Sequence, residues 1–524
     1  MQRYRTHALV IAAYLGTFLS TLDISIVNVA LPTLQEALHA DMAGLQWIIN
    51  IYAIALSAVM LSAGPLGDKY GHKRVWLSSV ALFVIGSMIC AFSTDLNTLL
   101  WGRGVQGVAG ALLIPGAMPI LTHAFPDPRQ RARAIGGWSA CNALSLVSGP
   151  LIGGLLIEHI GWSSIFLVNV PIGLIAALLG VWGIVERKYP EHAAFDPVGQ
   201  ILSMIWLGML SYALIEIGEH GASTEKVLLP LFCAVVAFAA FVRTELTIKR
   251  PLFPIQLFRN ISLAVANLAS FALGFSAYAS LFFLSLYLQQ ARGDAPSVAG
   301  WHLTPQFMVM GVSSLLFGRM AQYIALKKLM VGGYALIGVS LCAMSLFSAN
   351  TPYIFVAVTL MFLGLGMGIT VPATGMMVMG YAPTERAGIA SATMNALRQV
   401  GMTLAIAVLG SIMSLYAIQN MAGIINTGNM TDAIEVARRA VVSNDFPAGH
   451  EALVSAYRTA IAAGFGMVMF CAGLLSLLAA VLLAIFTNDR QTSHRHAGGK
   501  TGNHRKGHQH AHDKTTSSCK HHRA

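Results

Sequence analysis

The chain of 524 residues is 56% hydrophobic and only 10% charged, with a mean hydropathy of +0.65. Soluble proteins carry roughly 25% charged residues, so a water-facing globular enzyme is excluded and lipid must cover most of the outside. The 33 lysines and arginines against 22 acids give a net charge of +11, which raises nucleic acid as a partner until the bases are placed along the chain.

A helix needs roughly 20 apolar residues to cross a bilayer. Stretches of about that length recur at 8–34, 44–66, 75–94, 99–122, 134–157, 160–185 and 197–217. They continue at 227–242, 261–288, 297–318, 329–349, 353–380, 387–415 and 459–486, which predicts fourteen spans. The first is interrupted by Asp23 and follows Arg3 and Arg5, as a secretory leader would. It runs well past a leader's length with no cleavage site before Asp23, so it is read as a retained span. The eleventh and twelfth are parted by the uncharged turn Asn350-Thr351-Pro352.

The bases orient these spans. With both termini cytoplasmic, the inner connections hold 18 lysines and arginines outside the tail, and the outer ones hold five. That asymmetry accounts for the basic charge without nucleic acid. The outer connections then include the stretches around 221 and 445. The six cysteines, five of them in apolar stretches, form no CxxC pair and read as small packing residues. Residues 487–524 hold eight of the 17 histidines, including His508, His510, His512, His521 and His522, and almost no apolar side chains. They read as a disordered, dispensable cytoplasmic tail that touches anionic lipid. A metal site there is the weaker reading.

Two matches at nearly one offset mark an internal duplication. Gly64 to Arg74 pairs with Gly318 to Lys328, and Pro128-x-x-Arg131-Ala132 pairs with Pro383-x-x-Arg386-Ala387. The predicted organisation is a six-helix bundle at 8–185, two inserted helices at 196–246 and a second six-helix bundle at 258–486.

Four segments carry chemistry. Leu22-Asp23-Ile24-Ser25-Ile26-Val27-Asn28 places a carboxylate inside a span. That is costly in hydrocarbon, so the acid faces a cavity or a partner, and it suits a group that binds and releases a proton. Arg103, Gln106, Gly107 and Gly110 share one face of the fourth span. Since the first span runs outward and the fourth inward, Asp23 and Arg103 both fall in the outer half, where Arg103 acts on Asp23 by charge. The embedded Gly102-x-Gly104-x-x-Gly107 follows no strand and is no dinucleotide site. Gly64-Pro65-Leu66-Gly67-Asp68-Lys69-Tyr70-Gly71-His72-Lys73-Arg74 reads as a glycine-made reversal with a basic, cytoplasmic flank. Gly149-Pro150-Leu151-Ile152-Gly153-Gly154 in the fifth span combines close helix approach with a proline bend.

Together these segments resemble the major facilitator superfamily, in its fourteen-span drug:proton antiporter branch. The likeness covers nearly all of the chain outside the tail. Trp162 to Gly173, with Asn169 inside it, resembles the branch's junction between spans five and six, and Asn395, Arg398, Gln399 and Gly401 resemble a span-thirteen pattern. Departures are Ser25 for a threonine, Ser145 for a glycine, Ser163 for an arginine, and Gln322 at the acidic position of the second loop. The resemblance implies an all-α transporter of alternating access in a bacterial inner or plasma membrane. It implies proton coupling at Asp23 and Arg103, a conformational latch at Gly64, Asp68, Gly71, Lys73 and Arg74, and an antiporter helix at Gly149, Pro150, Gly153 and Gly154.

The predicted cavity lies between the two bundles, with Gln106, Asn28, Arg398, Tyr278, Phe282, Trp301 and Phe307 as candidate lining. Met361, Met367, Met376, Met377 and Met379 are candidates for a promiscuous wall. The expected partners are a proton, an amphiphilic substrate and membrane lipid, with a periplasmic adaptor and outer-membrane channel as further candidates. No cofactor, no metal and no enzymatic constellation is expected. The favoured cargo is a lipophilic cation or neutral amphiphile, exported against protons. The alternative is a dedicated carrier of a metabolite, siderophore or lipid precursor.

Overall fold

A computed structural model of the protein describes residues 2–188, 196–220, 224–248, 258–382, 387–425, 430–443 and 451–487. Among these, every regular element is helical. The tail, the stretches around 221 and 445, and Pro383 to Arg386 lie outside the described residues.

The first half holds α1 (Gln2–Ala37), α2 (Met42–Met60), α3 (Ala63–Tyr70), α4 (His72–Ala91), α5 (Leu96–Ala124), α6 (Pro128–His159), α7 (Ser164–Leu167) and α8 (Asn169–Gly183). Two helices follow, α9 (Pro197–His220) and α10 (Glu225–Thr247). The second half holds α11 (Ile261–Leu273), α12 (Ser280–Leu286), α13 (Pro296–Tyr323), α14 (Leu326–Met344), α15 (Tyr353–Tyr381), α16 (Ala387–Ile425), α17 (Met430–Ser443) and α18 (Glu451–Phe486). Aspartates start several of them. Asp41, Asp95 and Asp127 accept the backbone N–H of Gly44, Thr98 and Gln130 at 2.7, 2.9 and 3.0 Å. The Thr98 N–H and hydroxyl on Asp95 hold its carboxyl below the usual carboxylate range.

Thirteen of the described helical segments are long and apolar enough to cross a membrane. α13 is not among them, although its 28 residues reach about 42 Å at 1.5 Å per residue. His302, Thr304, Gln306, Ser313, Ser314 and Arg319 lower its hydropathy. α17 was not legible as a span or as a helix, because it is short and strongly amphipathic, with Asp432, Glu435, Arg438 and Arg439. The α11–α12 span is broken twice by wide turns, at Gly274–Tyr278 and Tyr287–Ala291.

Residues up to Thr487 form one unit, with the two halves packed on each other. They meet along two seams, α6 against α13 and α2 against α16. α9 lies along α2 and α16, and α10 covers α9. We call the end holding the N-terminus and Gly64–Arg74 the near end. Toward the far end, three hydrogen bonds among the described residues join the halves. Ser285 Oγ donates to the Asn28 carbonyl, Gln289 Nε2 to the Val29 carbonyl at 2.9 Å, and Gln290 Nε2 to Gln35 Oε1 at 2.7 Å.

Candidate functional site

Glycines bring the polar residues of the first half together. Gly102 and Gly107 on α5 leave no room for a side chain: a Cβ at Gly102 would lie 3.0 Å from the Cys90 nitrogen on α4, and one at Gly107 2.8 Å from Ala55 Cβ on α2. α5 therefore lies close to both neighbours, and its polar face closes on α1.

In that closure Asp23, Arg103, Gln106, Ser87 and Asn169 are all buried. Arg103 Nη1 donates to Asp23 Oδ2 and, at 2.9 Å, to Gln106 Oε1. Gln106 Nε2 donates to Asp23 Oδ1 at 3.0 Å, and Asn169 Nδ2 donates to the same oxygen at 3.2 Å. Both amides also donate to Ser87 Oγ, at 2.8 and 3.2 Å. Arg103 Nε donates to the Ile48 carbonyl at 3.2 Å, and its guanidinium lies over the Tyr52 ring, 4.3 Å from the centroid. The carboxylate thus has three side-chain donors and no exposure. A buried charge pair is tolerable only when its remaining lone pairs are met in this way.

A cavity lies beside this network. It is lined from the first half by Ile24, Asn28, Ile49, Tyr52, Arg103 and Leu146. From the second half come Ala277, Tyr278, Leu281, Phe282, Gln306, Phe307, Met310, Met367, Met402 and Ile406. The wall is mainly apolar and aromatic, with few polar groups, as small-molecule sites are. Gln306 is buried, and its Oε1 has no hydrogen-bond partner. Arg103 and Tyr52 are the two residues that touch both the cavity and the Asp23 network.

The expected site residues divide accordingly. Asn28, Tyr278, Phe282, Phe307 and Met367 line the cavity, and Arg103 reaches it. Gln106 lies behind the wall in the network. Trp301 is not among the lining residues and is 59% exposed, as are Met361, Met376 and Met379 to lesser degrees. In a membrane such exposure is to lipid, so an apolar side chain there needs no pocket. Arg398 lies beside the cavity, over the Tyr278 ring. Ser87 joins the network without any sequence signal, and Asn169 was legible only as part of a junction motif.

The loop at Gly64–Arg74 is less turn-like than its glycines imply, since Ala63–Tyr70 is helical and the reversal falls on Gly71 at φ 106°. A Cβ there would also collide with the Glu186 carboxylate. Asp68 Oδ1 lies 3.1 Å from His72 Nε2, and Glu186 accepts the backbone N–H of Lys73 and Arg74 at 3.1 and 3.2 Å. In this conformation all of these contacts stay within the first half.

The glycine–proline segment of α6 serves two packings. Gly149 and Gly153 approach Ser25 and Ile26 of α1, where a Cβ at Gly153 would lie 2.6 Å from Ile26 Cγ1. Gly154 faces Pro296 and Ser297 of α13, and Gly300 of α13 packs on the Pro150 carbonyl. The segment is therefore part of the far-end closure.

A family model described as Major Facilitator Superfamily matches residues 13–266 and 266–428. The chain is 35% identical to the methylenomycin A resistance protein of Bacillus subtilis over 411 residues, which is 78% of this chain and 88% of that protein. It is 32% identical to the tetracenomycin C resistance and export protein of Streptomyces glaucescens over 507 residues, 94% of each. Among solved structures, an auto-inhibited POT-family peptide transporter superposes with a TM-score of 0.64, covering 93% of this chain and 98% of that one at 14% identity.

Proposed function

Because the chain belongs to the Major Facilitator Superfamily, we propose that it is a proton-coupled exporter of lipophilic small molecules, of multidrug type, working by alternating access. The observation that carries this reading is the juxtaposition of a buried Asp23–Arg103 pair with an apolar cavity walled by both halves. The resistance and export proteins named above support the direction of transport and the lipophilic cargo.

The coupling follows from the donors around Asp23. As a carboxylate it accepts from Arg103, Gln106 and Asn169. A proton on Oδ2 takes the place of the Arg103 donor and turns an acceptor into a donor. The guanidinium is then free to turn into the cavity it already borders. A substrate pressed against Arg103 and Tyr52 acts in reverse, by fixing the arginine on the acid. Proton and substrate thus compete through one side chain, which is what antiport requires. With the far end joined in this conformation, we take the near end as the side of loading. We place that end in the cytoplasm, count α13 as the fourteenth span, and assign the loop at Gly64–Arg74 to latch the halves in the opposite state.

Two measurements test this. In inside-out vesicles energised with a proton gradient, a lipophilic dye should be taken up. Neutral amphiphiles and quaternary amines should compete for that uptake, while divalent metal ions and small sugars should not. Competition by sugars or metals alone would replace the multidrug reading with a dedicated carrier. For topology, reporter fusions at residues 221 and 445 should read as external, and a cytoplasmic signal at either breaks the fourteen-span arrangement.

A further inference from the structure

We propose that Arg398, framed by Tyr278 and Asn395, is an anion subsite at the near mouth of the cavity and takes the carboxylate of a lipophilic acid or zwitterion. The proposal rests on the exporter reading above and narrows its substrate class.

The two arginines within the spans are treated differently by the fold. Arg103 is buried and paired with Asp23. Arg398 is half-buried, and one nitrogen, Nη2, donates at 2.5 Å to Asn395 Oδ1 on its own helix. Its guanidinium lies 5.1 Å from the centroid of the Tyr278 ring. Among the described residues no carboxylate forms an ion pair with it.

The sequence explains why none does. Between Arg259 and Glu385 the only acid is Asp294, and α16 contains none. Asp294 is engaged elsewhere, 2.8 Å from His302 Nδ1 and 3.5 Å from Arg292 Nε. Tyr334 also lies near Arg398, and its hydroxyl is already shared with Thr374 at 3.2 Å. A guanidinium offers five N–H donors in a planar fork, and among the described residues only one of these is spent. Charge within a membrane span is costly and marks sites of ion or substrate passage.

Its position fits such a role. Met402, one turn farther along α16, lines the cavity, as does Tyr278. α16 starts from the near end, so Arg398 lies on the loading side of those residues. The wide turn at Gly274–Tyr278 packs Gly274 directly on the Arg398 carbonyl, where no Cβ fits. Wide turns of this kind cluster at functional sites, and this one brings the Tyr278 ring to the arginine. A carboxylate matches the arginine fork with two parallel hydrogen bonds. The apolar body attached to it then meets Phe282, Phe307 and Met310 deeper in.

The test uses a dansyl-capped alkyl chain ending in a carboxylate, a primary amide or a trimethylammonium group, with uptake followed in inside-out vesicles. Wild-type protein should transport the carboxylate probe. Arg398→Gln should raise its KM at least about tenfold while leaving the amide unchanged, and Arg398→Lys, which keeps the charge but loses the fork, should fall between. If Arg398→Gln fails to insert, the Lys variant carries the same comparison. Equal losses for carboxylate and amide, or transport of the amide without the carboxylate in wild type, overturn the subsite and leave the exporter reading standing. Transport of none of the three probes overturns the exporter reading, and the subsite with it.

Discussion

Asp23→Asn is expected to abolish proton-driven efflux while leaving substrate exchange across the membrane in place. Asparagine keeps the shape of the protonated acid and accepts through Oδ1, but it has no proton to release. The substitution also leaves Arg103 without its counterion in a buried site, and breaking such a pair costs about 3–5 kcal/mol. The variant should therefore insert but unfold more readily in detergent. The decisive readout is the contrast between two assays on the same vesicles. Uptake driven by a proton gradient should vanish, and exchange of labelled for unlabelled substrate, with no gradient, should persist. Normal driven uptake at normal expression would remove Asp23 from the coupling role.

Gly154→Val is expected to hold the transporter open at the far end. A Cβ at this position would lie 2.6 Å from the Pro296 carbonyl oxygen and 2.7 Å from Ser297 Cα, and both obstacles are backbone that has nowhere to turn. Overpacking costs about 1–3 kcal/mol. Here that penalty falls on the conformation in which α6 meets α13 and not on the one in which they part. A bias of that size shifts the balance of the two states by roughly 5- to 150-fold. A cysteine introduced at Asn28, in the cavity wall, should then react faster with a membrane-impermeant thiol reagent added from outside, and net efflux should fall. Unchanged labelling with unchanged efflux would show that this seam does not gate the cavity.

The charged members of the site were legible in the sequence because charge inside an apolar span is itself a signal. The alternating directions of the first and fourth spans sufficed to bring Asp23 and Arg103 to one depth. Neutral polar residues send no such signal. Ser87 is one serine among many on apolar helices, and only the folded structure shows it accepting from both Gln106 and Asn169. The orientation of α13 was equally hidden. Trp301 and Phe307 are six residues apart, about 240° around a helix, so they cannot share a face. Because polar and apolar residues are scattered round that helix, nothing in its pattern says which of them meets lipid. The two wide turns in the α11–α12 span also lack a sequence mark, although one of them positions Tyr278. The fold was more legible, since span lengths, basic connections and the repeated loop are properties of whole segments that a single ambiguous residue does not change.

The inserted pair has a consequence for the surrounding lipid. α9 is fastened near its start to the first half, where Ser62 Oγ donates to Gln200 Oε1. Toward its other end Ser411 Oγ of the second half donates to the Leu214 carbonyl at 2.6 Å, and Tyr212 meets Trp47. One of the two seams between the halves is therefore screened from the bilayer by two layers of helix. A lipophilic molecule dissolved in the leaflet meets two unlike flanks, and on the α2–α16 side it finds a fence that must bend with the halves each time they rock.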